Sequence, residues 1–189
     1  MSIILASKSP RRKELLSKIV KDFEVIASEF DESLIKFTGD VESYVKELAI
    51  CKAKEVAQNI KKQAIVISAD TIVVLENKIL GKPKNRKEAE CMLSSLSGNN
   101  HRVCTGLCVL DTTTNKIIQK AVFTKVKFSK LTNKEIQEYI DTGSPMDKAG
   151  AYGIQDFAAV FVEEIEGCYY NVMGLPLNVL YNILKTLDF

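Results

Sequence analysis

The segment from Leu5 to Leu16 constrains the fold more than any other part of the chain. A short apolar run, Ile3 to Ala6, predicts a strand, and an amphipathic helix follows a few residues later. Ser9 is a suitable cap for that helix, and Pro10 suits its first position because the missing N–H of proline would be unpaired there anyway. The sequence therefore opens with a predicted strand–turn–helix unit.

Two arginines, Arg11 and Arg12, place positive charge in the first turn of this helix. The amide groups at a helix N-terminus favour an anion, and cations there are unfavourable unless something negative offsets them. A bound phosphate would satisfy both requirements. The alternative is a basic turn exposed to solvent.

Composition narrows the classes of function. The 189 residues are enough for a single domain, 1–189, with one or two lobes. A net charge of +2 is too small to indicate nucleic-acid binding. No apolar run approaches the roughly 20 residues of a membrane span, and Ile3 to Ala6 is too short for the apolar part of a signal peptide. We therefore expect neither a nucleic acid nor a membrane as partner.

The cysteines and the single histidine give little indication of a metal site, a redox site or a catalytic triad. Five cysteines are scattered without a C-x-x-C pair, which favours free thiols in a reducing compartment over a metal or redox site. A cytoplasmic location is therefore expected. His101 would have to serve any histidine-based zinc site or Ser-His-Asp triad, and we favour a structural role for it.

Strands and helices alternate along the rest of the chain. Strands are predicted at 3–6, 23–27, 64–75, 79–80, 102–110 and 117–127, with a strand pair near 159–173 and a hairpin turn at Asn77-Lys78. Helices are predicted at 10–20, 42–60, 86–96, from a capping box at Thr132 to Thr142, and from Pro176 onward. This pattern predicts a mixed α/β fold, a twisted sheet flanked by helices in two lobes.

Charged residues interrupt two of the apolar patterns. Lys52 lies on the apolar stripe of the long helix, four residues from both Leu48 and Val56. Asp70 lies in an otherwise apolar strand, where an unpaired carboxylate is costly, so it needs a cation, a metal or an opening into a cleft. For Lys52 the alternative is a stem that extends along the surface and exposes its ammonium group.

Further charges join this set. Lys82 follows the predicted hairpin, which would fold it back toward the level of Asp70, and Asp31-Glu32 follow the second strand. Cations that hold phosphates, together with carboxylates that hold a divalent metal or activate water, are typical of phosphate-processing sites. The site set is Arg11, Arg12, Lys52 and Lys82 with Asp70 and Glu32.

Six motifs occur in a fixed order along nearly the whole chain. They are Ser7-x-Ser9-Pro10-Arg11-Arg12-x-x-Leu15-Leu16, Ala69-Asp70-Thr71, Gly81-Lys82-Pro83, Leu96-Ser97-Gly98, the stretch 147–155, and Val172-Met173-Gly174-Leu175-Pro176-Leu177. In these motifs the chain resembles the Maf family, the septum-formation-inhibitor proteins that act as nucleoside triphosphate pyrophosphatases. The resemblance implies a two-lobed fold related to inosine triphosphate pyrophosphatases, with the site in a central cleft.

The resemblance also implies roles for individual residues. Asp70 would be the catalytic base, and Glu32 and Asp70 would lie near a divalent metal, Mg²⁺ or Mn²⁺. The residues that would bind the substrate are Ser7, Arg11, Arg12, Lys52 and Lys82.

The branch of the family that acts on dTTP and UTP is the better match, because the branch that acts on 7-methyl-GTP has glutamine after the aspartate. Arg11, Thr71 and Gln155 would then set base selectivity, since an amide side chain can match both the acceptors and the N–H of a pyrimidine edge. Gln155 could instead only stabilise its glycine-rich turn. Asp156 stands where the family usually has glycine, which bears on the conformation of this loop.

The implied reaction is attack of water between the α- and β-phosphates, which yields a nucleoside monophosphate and pyrophosphate. Modified pyrimidine nucleotides are a further expected substrate class. The alternative is a non-enzymatic, nucleotide-binding regulator of cell division. Asp70 argues against this alternative, because a protein that only binds phosphate would gain affinity from losing that negative charge. The oligomeric state stays open, with a homodimer among the options.

Overall fold

The computed structural model describes residues 1–187, which contain six α-helices and seven β-strands. The helices are α1 (Pro10–Ser17), α2 (Val41–Asn59), α3 (Arg86–Leu96), α4 (Asn133–Asp141), α5 (Tyr169–Met173) and α6 (Leu177–Lys185). The strands are β1 (Ser2–Leu5), β2 (Glu24–Val25), β3 (Ala64–Leu75), β4 (Lys78–Leu80), β5 (Asn100–Asp111), β6 (Lys116–Phe128) and β7 (Val162–Glu166). Short 3₁₀ segments occur at Glu32–Leu34, Ser144–Asp147, Ala149–Ala151 and Phe157–Phe161.

The strands form a mixed sheet in the order β2-β1-β3-β5-β6-β7, with β4 beside β3. β1 is parallel to both β2 and β3, whereas β4 is antiparallel to β3 and β7 is antiparallel to β6. Parallel strands require a crossover, which α2 supplies between β2 and β3. The predicted α/β fold with a mixed sheet and flanking helices is confirmed.

The chain divides into two compact units. The first contains residues 1–70, 105–122 and the stretch that begins at Gly174. Its core forms where α2 packs on the sheet through small and branched side chains, among them Ala49, Ala53 and Val66. At Gly106 in β5, a Cβ would lie only 2.0 Å from the carbonyl oxygen of Val45, so glycine permits this close approach of helix and strand.

The second unit contains residues 71–104 and 123–173. Helices α3 and α4 contact each other there, and α4 begins with the predicted capping box between Thr132 and Glu135. A buried aromatic cluster holds the centre of this unit, with edge-to-face contacts between neighbouring rings. Its members are His101, Phe128, Tyr139, Tyr152 and Phe161.

Several predicted boundaries change. The predicted strand pair near 159–173 is wrong, since β7 is followed by α5 rather than by a second strand. Gly167 ends β7 at a φ of +126°, and the buried Asn171 in α5 donates from Nδ2 to the carbonyl oxygen of Val103 and to Thr124 Oγ1. These hydrogen bonds hold the segment as a short helix.

Two further boundaries shift by a few residues. α1 ends at Ser17 rather than near 20, because the amides after it turn back to the carbonyl groups of Leu15 and Leu16. The turn of the β3–β4 hairpin consists of Glu76 and Asn77, both at positive φ, rather than Asn77-Lys78. Positive φ at both central residues gives the turn the twist that a two-residue hairpin needs.

None of the helices within residues 1–187 has the length and apolar character needed to cross a membrane. The predicted single domain, 1–189, and the predicted central cleft stay predictions.

Candidate active site

Asp70 lies buried at the point of β3 where the first unit ends. Its Oδ1 atom lies 2.5 Å from the Nζ atom of Lys52, which projects from α2. Ser68, two residues earlier on the same face of the strand, donates from Oγ to the carbonyl oxygen of Ala49 in α2. The polar residues of this apolar strand therefore have two different tasks: Ser68 ties the strand to the helix, and Asp70 meets a buried cation.

Lys52 is the centre of this arrangement. Its side chain is only 11% exposed, and its Nζ atom also lies 2.6 Å from Oε1 of Glu32. A lysine that merely extended along the surface would present its ammonium group to water. Lys52 can therefore lie on the buried stripe of α2 because its ammonium group forms ion pairs with both Asp70 and Glu32.

Glu32 comes from a short 3₁₀ segment in the loop before α2. Asp31 begins this segment by accepting a hydrogen bond from the amide of Ser33 at 3.0 Å, and the bonds with Ser33 lower the pKa of the Asp31 carboxyl. Of the two adjacent carboxylates, Asp31 therefore shapes the loop, whereas the half-exposed Glu32 reaches Lys52.

Arg12 is held by contacts with the first and the last of the chain segments that make up the first unit. Its Nε atom donates to the carbonyl oxygen of Gly174 at 2.8 Å, and its Nη1 atom donates to Oγ of the buried Ser7 at 3.3 Å. Burial lowers the pKa of the Arg12 guanidinium, and the charges of Asp70 and Glu32 act in the opposite direction. Arg12 is therefore electrostatically coupled to the two carboxylates.

The start of α1 has the predicted form. Ser9 caps the helix by accepting from the amide of Arg12, Pro10 occupies its first turn, and that turn contains no acidic residue. Arg11 is half-buried, and its charge also lowers the pKa of Arg12. Two neighbouring cations at a helix N-terminus are unfavourable by themselves and create a suitable place for an anion.

The remaining predicted site residues belong to the second unit. Thr71 follows Asp70 directly in β3 and is half-buried, whereas Lys82 is exposed two residues after β4. Gln155 is half-buried in the loop before β7. The structure thus brings Glu32, Lys52 and Asp70 into one set of contacts and Ser7 and Arg12 into another, and the charges of Asp70 and Glu32 act on Arg12. The roles of all the predicted site residues stay predictions.

Glu32 and Asp70 suit a divalent metal. Within residues 1–187 no cluster of three or more histidine, cysteine or acidic side chains could hold a metal by protein ligands alone. Mg²⁺ is commonly bound by one or two carboxylates together with substrate phosphates. The oxygens of Glu32 and Asp70 both lie within 2.6 Å of one lysine nitrogen, so this place already accepts a positive charge.

Two residues near the site were missed in the sequence. Gly174, at a φ of +109°, presents its carbonyl oxygen to Arg12. The sequence motif around Gly174 did not indicate this contact. Tyr44 lies two turns before Lys52 on α2, a spacing that places both on one face. Partial burial raises the pKa of Tyr44, and the charges of Asp70 and Glu32 raise it further.

His101 and the cysteines lie outside this set of contacts. His101 is buried in the aromatic cluster of the second unit, with Nε2 2.7 Å from the hydroxyl oxygen of Tyr152. This placement agrees with the structural role expected for it. All five cysteines, each within the described residues, are free thiols.

Fold and site together define an α/β protein in which cations lie beside carboxylates, a combination that is typical of phosphate-processing sites. The chain belongs to the Maf family, because the family model for the Maf-like protein matches residues 2–187.

Two curated relatives match this chain over nearly their full length. A dTTP/UTP pyrophosphatase of Clostridium perfringens (strain SM101) is 56% identical over 188 residues, covering 100% of this chain and 98% of the relative. A dTTP/UTP pyrophosphatase of Clostridium novyi (strain NT) is 59% identical over 183 residues, covering 97% and 96%. The predicted family is confirmed.

A solved structure supports the fold. The Ham1 protein of Staphylococcus aureus superposes with a TM-score of 0.54 over 99% of this chain and 100% of its own, at 15% identity. At this identity the likeness concerns the fold alone.

Proposed function

We propose that this protein hydrolyses dTTP and UTP to the nucleoside monophosphate and pyrophosphate. The observation that carries the proposal is the buried Asp70 carboxylate. Lys52 forms ion pairs with both Asp70 and Glu32, and the charges of these two carboxylates act on Arg12. The named activity of the Clostridium relatives, at 56% and 59% identity, supports the choice of substrates. Modified pyrimidine nucleotides belong to the same proposal.

Binding of the phosphates is assigned to the start of α1 and its arginines. The amide groups of this helix and the charge of Arg11 and Arg12 attract the triphosphate. Gly174 and Ser7 hold Arg12 in one orientation, so less entropy is lost when it binds an anion. Lys82 joins this group as a prediction from the sequence.

Asp70 is assigned the role of general base. A water molecule positioned next to its carboxylate attacks the α-phosphorus, and its proton passes to Asp70. The bond between the α-phosphorus and the bridging oxygen breaks, so pyrophosphate leaves with the electron pair. Lys52 and Arg12 offset the negative charge that develops on the phosphate oxygens.

Glu32 and Asp70 would hold the divalent cation, Mg²⁺ or Mn²⁺. When bound, such a cation neutralises phosphate charge and favours attack by water. The positive charge of Lys52 offsets the repulsion between the two carboxylates, and its long side chain lets its ammonium group turn toward a phosphate.

A panel of nucleoside triphosphates with pyrophosphate release as readout tests the proposal. We expect dTTP and UTP to be preferred over ATP, GTP and 7-methyl-GTP, with activity lost when EDTA removes the metal. Equal kcat/KM for dTTP and 7-methyl-GTP would refute the choice of branch. Binding of nucleotides without any release of pyrophosphate would support the non-enzymatic regulator instead.

Location and assembly complete the proposal. A cytoplasmic location is supported by the five free thiols, which persist in a reducing compartment. A homodimer is the assembly to test first, by sedimentation of the purified protein.

A further inference from the structure

A loop in the second unit, residues 144–156, folds around the ammonium group of Lys148. The Lys148 side chain is only 8% exposed. Its Nζ atom donates to the carbonyl oxygen of Ser144 at 2.6 Å and lies 2.7 Å from Oδ1 of Asp147 and 3.0 Å from Oδ2 of Asp156. A buried ammonium group without partners would be costly, so these contacts hold the beginning and the end of the loop to its middle.

Asp156 closes this loop. Its Oδ2 atom accepts a hydrogen bond from Oγ of Ser144 at 2.9 Å, and its backbone amide donates to the carbonyl oxygen of Gly153 at 3.0 Å. An aspartate directly before a helical segment usually caps it. Here the side chain makes no capping bond to the 3₁₀ segment Phe157–Phe161, since its carboxylate is directed to Lys148 and Ser144.

The loop is packed tightly around this ion pair. A Cβ at Gly153 would lie 2.6 Å from Cε of Lys148 and 2.7 Å from Oδ2 of Asp156. The Gly153 amide also donates to the hydroxyl oxygen of Tyr139, a buried residue of α4. The backbone around Gly153 is thus tied to side chains on both sides.

We infer that Asp156 is a positioning residue that fixes the backbone at Gln155 and thereby sets the base selectivity of the enzyme. Gln155 lies between the buried Ile154 and Asp156, so both of its peptide neighbours are held. An amide discriminates between bases only when its two polar ends point in defined directions. This inference rests on the proposed function and on the role in base selectivity that the sequence predicts for Gln155.

The test compares Asp156→Ala with Asp147→Ala. Both carboxylates contact Lys148 at similar distances, and Asp156 is the one that is adjacent to Gln155 and accepts a hydrogen bond from Ser144. We expect Asp156→Ala to reduce the ratio of kcat/KM for dTTP over GTP by roughly tenfold, because a small displacement of a site group has large effects. The ratio for Asp147→Ala should stay within about twofold of that of the unaltered enzyme.

Two more variants separate positioning from general stability. Asp156→Asn keeps an acceptor for Ser144, and we expect it to restore part of the discrimination. In a Gln155→Ala background, Asp156→Ala should cause no further loss of discrimination, because its effect passes through Gln155. Melting temperatures accompany each measurement, and if Asp156→Ala does not fold, Asp156→Asn must by itself lower the ratio at an unchanged melting temperature.

The outcomes are distinct. An unchanged ratio in Asp156→Ala, an equal loss in Asp147→Ala, or an additive loss in the double variant overturns the inference. If the unaltered enzyme itself does not prefer dTTP over GTP, the proposed function fails, and this inference fails with it.

Discussion

Lys52 Nζ lies 2.5 Å from Oδ1 of Asp70, and the same nitrogen lies 2.6 Å from Oε1 of Glu32. Two carboxylates so close to each other would repel without a cation between them. Lys52 therefore allows a buried aspartate and a loop glutamate to share one place in the fold. Replacement of Asp70 and replacement of Lys52 have separate, measurable consequences.

Asp70→Asn should abolish turnover while the fold persists. Asparagine has nearly the same shape but cannot take a proton from water, and general-base assistance is typically worth about 10²–10⁴-fold in rate. Pyrophosphate release from dTTP measures turnover, and circular dichroism reports the fold. A variant that keeps more than roughly a tenth of the original rate would exclude Asp70 as the base.

Lys52→Ala should lower kcat/KM strongly and also destabilise the protein. The loss leaves the buried Asp70 carboxylate without this cation, which we expect to cost about 1–3 kcal/mol in unfolding free energy. Lys54→Ala, an exposed lysine on the same helix, is the matched control. Kinetics unchanged within about twofold in Lys52→Ala would contradict a role in charge stabilisation.

Lys82→Ala should reduce kcat/KM without affecting stability, because the exposed Lys82 is predicted to bind phosphate. Lys84→Ala, an exposed lysine two residues later, carries the same change in net charge. If both variants lose activity equally, the effect is one of general charge and Lys82 has no specific role.

Gln155→Ala should narrow the preference for dTTP and UTP over purine nucleotides. A site that hydrogen-bonds a base edge rejects bases that leave its polar groups unpaired, and alanine removes those groups. The measurement is the ratio of kcat/KM across the substrate panel. Unchanged ratios would remove Gln155 from the selectivity set and leave it as a residue that stabilises its turn.

The stability of the protein should fall as pH drops below about 6.5. Burial lowers the pKa of His101 from 6.5 to about 4, so the unfolded chain binds a proton at a pH where the folded chain does not. The contribution of the uncharged His101 to the free energy of unfolding is fully present above pH 6.5 and is lost progressively toward pH 4. From these values we expect a loss of about 2 kcal/mol between pH 7.5 and pH 5.

Urea unfolding at these two pH values measures this loss. The His101→Gln variant is the control, because carboxylates titrate alike in both proteins and the difference isolates the imidazole. The same slope in both proteins would show that His101 does not carry the dependence.

Much of the fold follows from local patterns. The apolar run of β3 and the capping box of α4 were predicted with correct positions, because a continuous apolar run and a cap at fixed spacing are properties of neighbouring residues. The segment after β7 was predicted wrongly. Its helix depends on hydrogen bonds from Asn171 to Val103 and Thr124, which are 68 and 47 residues away in the chain.

The sequence by itself determined which residues were out of place: a lysine on an apolar helix stripe, an aspartate in an apolar strand, and arginines at a helix N-terminus. Burial of a charge is so costly that such positions must be explained. Only the tertiary structure decided which side chains contact each other. It joined Lys52 to Glu32 as well as to Asp70, gave Arg12 the carbonyl group of Gly174, and turned Asp156 toward Lys148. These pairings depend on distances between segments remote in sequence, which no local pattern encodes.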